Sequence, residues 1–282
     1  MKKVAVIQDL SSFGKCSLTV AIPILSVMQT QAVPLPTAIL TSQTGYSSFF
    51  CEDLTNKMHH FENEWSKMDV SFEGIYTGFV TGEEQINHIF SFLEKFRHAD
   101  TVLLVDPVMG DDGKAYTFFT PSLLARMKAL VSEATVITPN VTESCLLSGL
   151  NYDDLAKEQT AEGYMAMIRK IGQRLQKLTT AKIIMTGIHP PSDSAATSQI
   201  GTAFFDGEQI ATFFTAYNGK SYSGTGDIFA SIMMGSIMRG DSLLKGLSLA
   251  EQFISTAIAD TALSNTPKEA GINFEKFLKL LI

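Results

Sequence analysis

The residues best suited to chemistry lie near the C-terminal end of the chain, in Ser223-Gly224-Thr225-Gly226-Asp227 and the apolar helical run Ile228–Met234 that follows. Two glycines around one small residue let the backbone turn tightly and leave N–H groups pointing into the space ahead of a helix. Those amides have no partner inside the helix and sit at its positive end, so the turn is suited to an anion. Asp227 then has two readings: it caps the helix, or it is a general base facing a hydroxyl while the amides of Gly224, Thr225 and Gly226 stabilise a transferring phosphoryl group.

Three further segments carry polar groups directly after apolar runs. Asp106 opens Asp106-Pro107-Val108-Met109-Gly110-Asp111, a carboxylate at a strand end before a turn, which suits a Mg²⁺–phosphate cluster; Asp111, Asp112 and Lys114 read as a solvated turn. In Thr138-Pro139-Asn140-Val141-Thr142-Glu143, Asn140 and Glu143 either form a capping box or place Glu143 near water around Mg²⁺. Thr186-Gly187 follows a strand ending at Met185 and offers a hydroxyl and a close-approach backbone to phosphate. The chain has no GxxxxGK[ST] run and no GxGxxG after its first strand, which excludes a P-loop or Rossmann phosphate site. The five histidines show no metal-ligand spacing.

The elements that must position these groups follow a strand–turn–helix grammar. Short β-branched runs predict buried parallel strands at Lys3–Ile7, Gly74–Thr77, Thr101–Val105, Thr135–Thr138 and Lys182–Met185. Helical periodicity covers Glu83–Phe96, Pro121–Val131, Thr142–Leu147 and Thr160–Leu178. Two runs around Asp206-Gly207 predict a β-hairpin, and residues 227–263 predict helix with a break at Arg239-Gly240-Asp241. The expected fold class is therefore α/β, a doubly wound, mostly parallel central sheet with helices on both faces. Ligands are expected beyond the carboxyl ends of its strands.

Bulk properties narrow the function. The 282 residues suit one domain, 1–282, and the Pro/Ser-rich stretch 189–198 reads as a loop rather than a linker. With 45% apolar residues, 18% charged residues and a net charge of −7, the chain has enough core to fold and no basic footprint for nucleic acid or an anionic membrane. An anionic ligand must then be met by local amides and a metal ion. Cys16, Cys51 and Cys145 are scattered singly, implying neither a zinc site nor a disulfide framework and a reducing compartment. The apolar run after Met1-Lys2-Lys3 is too short for a secretion signal and no window is long enough to span a membrane, so a cytoplasmic location is expected.

Taken in order, "DPVMGD" at 106–111, "TPNVTE" at 138–143 and "GTGD" at 224–227 resemble the ribokinase-like superfamily and, within it, the pyridoxal kinase branch. The openings "VIQDLSSFG" at 6–14 and "TSQTGYSS" at 41–48 are similar to that branch's two substrate segments. The resemblance implies ATP-dependent phosphorylation of the 5′-hydroxymethyl group of a B6 vitamer, with Asp227 as base and the amides of Gly224, Thr225 and Gly226 as anion hole. It puts Asp106 and Glu143 near Mg²⁺; Tyr116, Asn140, Thr186 and Gly187 near the ATP phosphates; and Asp9, Cys16, Gln43, Thr44 and Phe79 around the pyridine ring. A monovalent cation such as K⁺ near the anion hole and a homodimer are also implied. The chain departs from the branch at Asp9 (serine in typical members), Gln43 (histidine) and Phe79 (often tyrosine). Hydroxymethylpyrimidine kinases share the scaffold and the threonine of "GTGD" but usually carry cysteine at the position of Asp227. They are the alternative enzyme, and a non-catalytic vitamer sensor on the same fold is the alternative of another class.

Overall fold

A computed structural model describes residues 1–192 and 198–282; of the predicted loop 189–198, residues 193–197 lie outside the described residues. In chain order the elements are β1 (Lys3–Ser11), α1 (Leu18–Val27), β2 (Gln31–Leu40), β3 (Cys51–Asp53), α2 (Thr55–Lys67), β4 (Gly74–Thr77), α3 (Glu83–Phe96) and β5 (Val102–Val105). Next come β6 (Gly110–Asp111), β7 (Lys114–Ala115), α4 (Pro121–Ser132), β8 (Val136–Ile137), α5 (Val141–Ser148), α6 (Tyr152–Ala156) and α7 (Ala161–Leu178). The chain continues with β9 (Lys182–Ile188), β10 (Gln199–Asp206), β11 (Gln209–Ala216), α8 (Thr225–Arg239), α9 (Leu243–Ala262) and two 3₁₀ segments, Lys268–Ala270 and Phe274–Leu281. Strands alternating with helices give the α/β, mostly parallel architecture that the sequence predicts. The chain divides into two compact units, Met1–Leu104 with Lys220–Ile282, and Val105–Gly219.

In the first unit the strands run in the order β5-β4-β1-β2-β3. β1 pairs in parallel with both β2 and β4. Val4, Ala5, Val6 and Ile7 are all fully buried, so both faces of β1 are covered, as expected of a parallel strand between helices. α8 packs on both α1 and α9, and α2 packs on α3. β1 runs to Ser11, beyond the predicted Ile7, so Asp9 lies within the strand. There the register slips: Gln8 pairs with Pro36 but Leu10 pairs with Ile39, leaving Thr37 and Ala38 opposite Asp9. This bulge places an extra residue in β2 beside a predicted site carboxylate.

β2 has no counterpart among the predicted strands, and its prolines are the reason. Pro34 and Pro36 cannot donate to a ladder, yet they share one parity, and β3 covers only Ala38–Leu40 of the outer side. The prolines therefore fall on an uncovered edge, where a missing donor costs nothing. Pro23 inside α1 similarly masks a helix whose Leu18, Val20, Ala21, Ile24 and Leu25 are buried. The predicted break after α8 is present: Gly240 adopts φ 85° and Ser242 caps α9.

In the second unit β8 pairs with β9 in parallel, and β9, β10 and β11 continue antiparallel. β10 and β11 form the predicted hairpin, closing between Asp206 and Gln209 through Gly207 at φ 58°. α4, α5 and α7 pack together, and α7 lies against β9. Among the described residues no helix is long and apolar enough to cross a membrane.

Candidate active site

In the first unit the predicted anion turn is built as the glycine pattern requires. Gly224 is the N-cap of α8, at φ 80°. A Cβ there would also sit 1.8 Å from the carbonyl oxygen of Lys15, so both conformation and space demand glycine. Gly226 is different: a Cβ would meet nothing within 4 Å, and the residue is exposed. Packing gives no reason for glycine at 226. Asp227 is the third residue of α8 and not its cap, and no side chain caps this helix. The structure thus removes the capping reading of Asp227 and leaves a half-buried carboxylate in the first turn.

Around this turn stand residues of β1 and the loop after it. Asp9 is buried, accepts a hydrogen bond from Ser11 Oγ at 2.7 Å, and has its carboxyl raised above the usual range by burial. The thiol of Cys16 is pushed up by burial and then by the negative charges of Asp227 and Asp9. That shared influence places Asp9, Cys16 and Asp227 in one neighbourhood. Phe79 is half-buried, with its carbonyl accepting from Thr37 Oγ1 at 2.9 Å, and Thr44 is exposed. Gln43 is buried, and its carboxamide is occupied by protein groups. Its Oε1 accepts from Gly45 N–H at 2.7 Å, and its Nε2 donates to the Glu269 carbonyl at 3.0 Å and to Ser223 Oγ at 3.3 Å.

In the second unit Asp106 and Glu143 are buried near each other. Thr138 Oγ1 donates to Asp106 Oδ1 at 3.0 Å, a partner that lies within the "TPN" motif. Asn140 and Glu143 form the capping box of α5: Asn140 Oδ1 accepts from Glu143 N–H at 2.9 Å and Glu143 Oε2 from Asn140 N–H at 2.9 Å. Glu143 Oε1 accepts a further bond from Met109 N–H at 3.1 Å, a contact the sequence reading missed. Burial raises Asp106 to about 7, and burial together with the Asp106 charge raises Glu143 well above its usual range.

Asn140 Nδ2 also holds the β6–β7 hairpin through the Gly110 carbonyl at 2.8 Å, and Gly113 N–H is tied to Thr142 Oγ1 at 2.9 Å. The backbone of Tyr116 reaches Met109 O at 2.9 Å, while its side chain is exposed. Thr186 N–H donates to the Pro139 carbonyl at 3.0 Å, which sets Thr186-Gly187 beside Asn140. A cavity of about 190 Å³ is lined by Asn140, Gly187, Thr142, Asp111, Tyr152 and His189, among others, but not by Asp106 or Glu143.

Two buried carboxylates that repel each other, with hard oxygen donors, fit a divalent cation such as Mg²⁺. This ion is ordinarily held by one or two carboxylates plus substrate phosphates rather than by a full protein cage. Among the described residues no group of three or more His, Cys, Asp or Glu could hold a metal. The larger groove of the first unit, about 670 Å³, is lined by Lys2, Gln29, Arg239 and Asp241, among others, and by none of the predicted site residues. Arg239 is spent there on Asp241 and on the Leu281 carbonyl.

Comparison with known proteins agrees with this geometry. The family model described as phosphomethylpyrimidine kinase matches residues 23–271. A hydroxymethylpyrimidine/phosphomethylpyrimidine kinase of Bacillus subtilis is 25% identical over 194 residues, 68% of this chain and 66% of that protein, just under two thirds of its length. A candidate phosphomethylpyrimidine kinase from Bacteroides thetaiotaomicron, crystallised with pyridoxal, superposes with a TM-score of 0.90 at 36% identity over 99% of this chain and 95% of that one. Pyridoxal kinase from Lactobacillus plantarum gives a TM-score of 0.86 at 29% identity over 100% of this chain and 96% of that one. With glycines, carboxylates and capping box in the arrangement described, the chain is a kinase of the pyridoxal/phosphomethylpyrimidine kinase family, on the ribokinase-like fold.

Proposed function

We propose that the chain, working as one kinase domain, transfers the γ-phosphoryl group of ATP to the 5′-hydroxymethyl group of pyridoxal, with pyridoxine or pyridoxamine as further substrates. The observation that carries this reading is Asp227 in the first turn of α8, freed from capping and placed near Asp9 and Cys16. The Asp227 carboxylate takes the proton of the substrate hydroxyl, whose oxygen forms the new bond to the γ-phosphorus as the bond to the ADP oxygen breaks. The amides of Gly224, Thr225 and Gly226 meet the charge on the transferring group. Asp9, Cys16, Thr44 and Phe79 flank the ring, and a carboxyl at Asp9 favours a protonated pyridine nitrogen. Tyr116, Asn140, Thr186 and Gly187 serve the nucleotide phosphates.

Asp106 and Glu143 would hold Mg²⁺, Glu143 through water because both its oxygens already accept amides. When bound, the ion supplies charge neutralisation for the phosphates. A K⁺ ion near the anion hole, a homodimer and a cytoplasmic place in vitamin B6 salvage complete the proposal.

Two observations favour the vitamer: the 36%-identical relative was crystallised with pyridoxal, and the base is an aspartate, whereas the resemblance gives hydroxymethylpyrimidine kinases a cysteine. The second reading, a hydroxymethylpyrimidine kinase, is favoured by the family match and the Bacillus relative. A coupled ADP-release assay with Mg-ATP against the three vitamers and hydroxymethylpyrimidine decides. A kcat/KM for a vitamer well above that for the pyrimidine is expected. Turnover of the pyrimidine alone moves the enzyme to the second reading, and turnover of none of the four leaves a vitamer sensor.

A further inference from the structure

We infer that Gln43 is a positioning residue for the phosphate loop, acting through Ser223 and not through contact with the substrate ring; the catalytic consequence rests on the function proposed above. The observation is how completely one side chain is used. Gln43 is buried, and its carboxamide joins three separate segments: Gly45 of its own turn, Ser223 immediately before the Gly224 cap, and Glu269 of the 3₁₀ segment Lys268–Ala270. Its backbone N–H adds a fourth, donating to the Phe13 carbonyl at 2.9 Å.

The surroundings are shaped to hold it. A Cβ on Gly14, at φ 104°, would come within 2.7 Å of Gln43 Cγ, and one on Gly45 within 2.9 Å of its Nε2. The same 3₁₀ segment grips Ser223 independently, because Ser223 N–H donates to the Lys268 carbonyl at 3.0 Å. Lys15, whose carbonyl presses on Gly224, ties its ammonium to Asn273 at 3.1 Å and Glu275 at 3.0 Å.

Ser223 is thus fixed from two sides by the 41–46 turn and the 268–270 segment, and the next residue is the left-handed Gly224, whose torsion aims the Thr225 and Gly226 amides. Displacing Ser223 re-aims those donors. A displacement of about 1 Å in a catalytic constellation is enough to cost ~10²-fold in rate. A histidine, which the resemblance places at this position, cannot both accept from Gly45 and donate to two partners. The glutamine is specific to this clasp.

The test compares wild type with Gln43→Met, which keeps length and volume and removes every carboxamide bond, and with Gln43→Glu, which keeps only the acceptor for Gly45. Hydrogen exchange of the segment 221–229 is read without substrate, so it stands whatever the enzyme phosphorylates. Faster exchange there in Gln43→Met, with little change in the rest of the first unit, is expected; unchanged exchange overturns the inference.

In vitamer kinase assays the expected split is a kcat lower by about 10²-fold with vitamer KM within about twofold, in Gln43→Met and Gln43→Glu alike because both lack the donor to Ser223. A raised vitamer KM with normal kcat assigns Gln43 to the ring and overturns the inference. A lowered Tm with both constants normal reduces it to a structural bond and overturns it too. If wild type phosphorylates no vitamer, the functional reading has failed while the exchange result still decides the role of Gln43.

Discussion

The two halves of the candidate machinery are built by opposite means. In the first unit the α8 turn is assembled from absences: no Cβ at 224 or 226, no capping side chain, and open space in front of Gly226. In the second unit nearly every polar atom is claimed. Both oxygens of Glu143 accept amides, both ends of the Asn140 carboxamide are bonded, and Asp106 is held by Thr138. Under the proposed function, the turn is open where charge would arrive, while the carboxylates are immobilised by the groups around them. The cost of the second strategy is a pair of like charges in a buried place.

The largest test of this contrast is Asp227→Asn. It should keep ligand affinity and lose ~10²–10⁴-fold in kcat, the usual worth of a general base; near-normal turnover in steady-state assays removes Asp227 from the chemistry. The two glycines should then separate. Gly224→Ala faces both a left-handed torsion and the Lys15 carbonyl, so it should lower Tm markedly as well as activity. Gly226→Val has room, so Tm should stay near wild type while KM for ATP rises and kcat falls. Equal thermal losses in both variants would show that 226 is a packing position after all.

The buried pair gives a pH signature. Both carboxyls are raised, so the ligand-free folded protein holds protons that the unfolded chain has already released. Its stability should therefore fall as pH climbs from the ordinary carboxylate range through about 7. Asp106→Asn should flatten that decline in thermal melts and raise Tm at pH 8, while abolishing turnover. A steeper decline in the variant contradicts the assignment of the raised pair. The smallest effect is expected at Asn140→Ala, about 1 kcal/mol from the lost cap. It should also loosen the β6–β7 hairpin, visible as faster exchange at 110–115; a hairpin unaffected by the change does not depend on the Gly110 bond.

The segments of the candidate site were legible because they combine a strand end with a turn, and both leave local marks. Gly74–Thr77 and Glu83–Phe96 are predicted and observed with the same bounds for that reason. β2 was not legible, since two prolines argue against a strand unless one knows which edge they face. The capping of α5 was foreseen as one of two readings, whereas the use of Met109 N–H by Glu143 depends on a fold-back across 34 residues that no local pattern encodes. Gln43 shows the same limit. Its sequence neighbours mark it as a site residue, but its partners 180 and 226 positions away decide what it touches.

The slip of register beside Asp9 means that the face presented by the end of β2 is set by a length, not by a residue type. Thr37 and Ala38 together face one residue of β1, and Thr37 is anchored by its hydroxyl to Phe79 and by its carbonyl to Gln85 Nε2 at 2.8 Å. Deleting one of those two residues would let β1 and β2 zip evenly and turn every later side chain of the shortened strand to the opposite face. A single-codon deletion in β2 would therefore change what faces Asp9 while leaving every residue of β1 as it was.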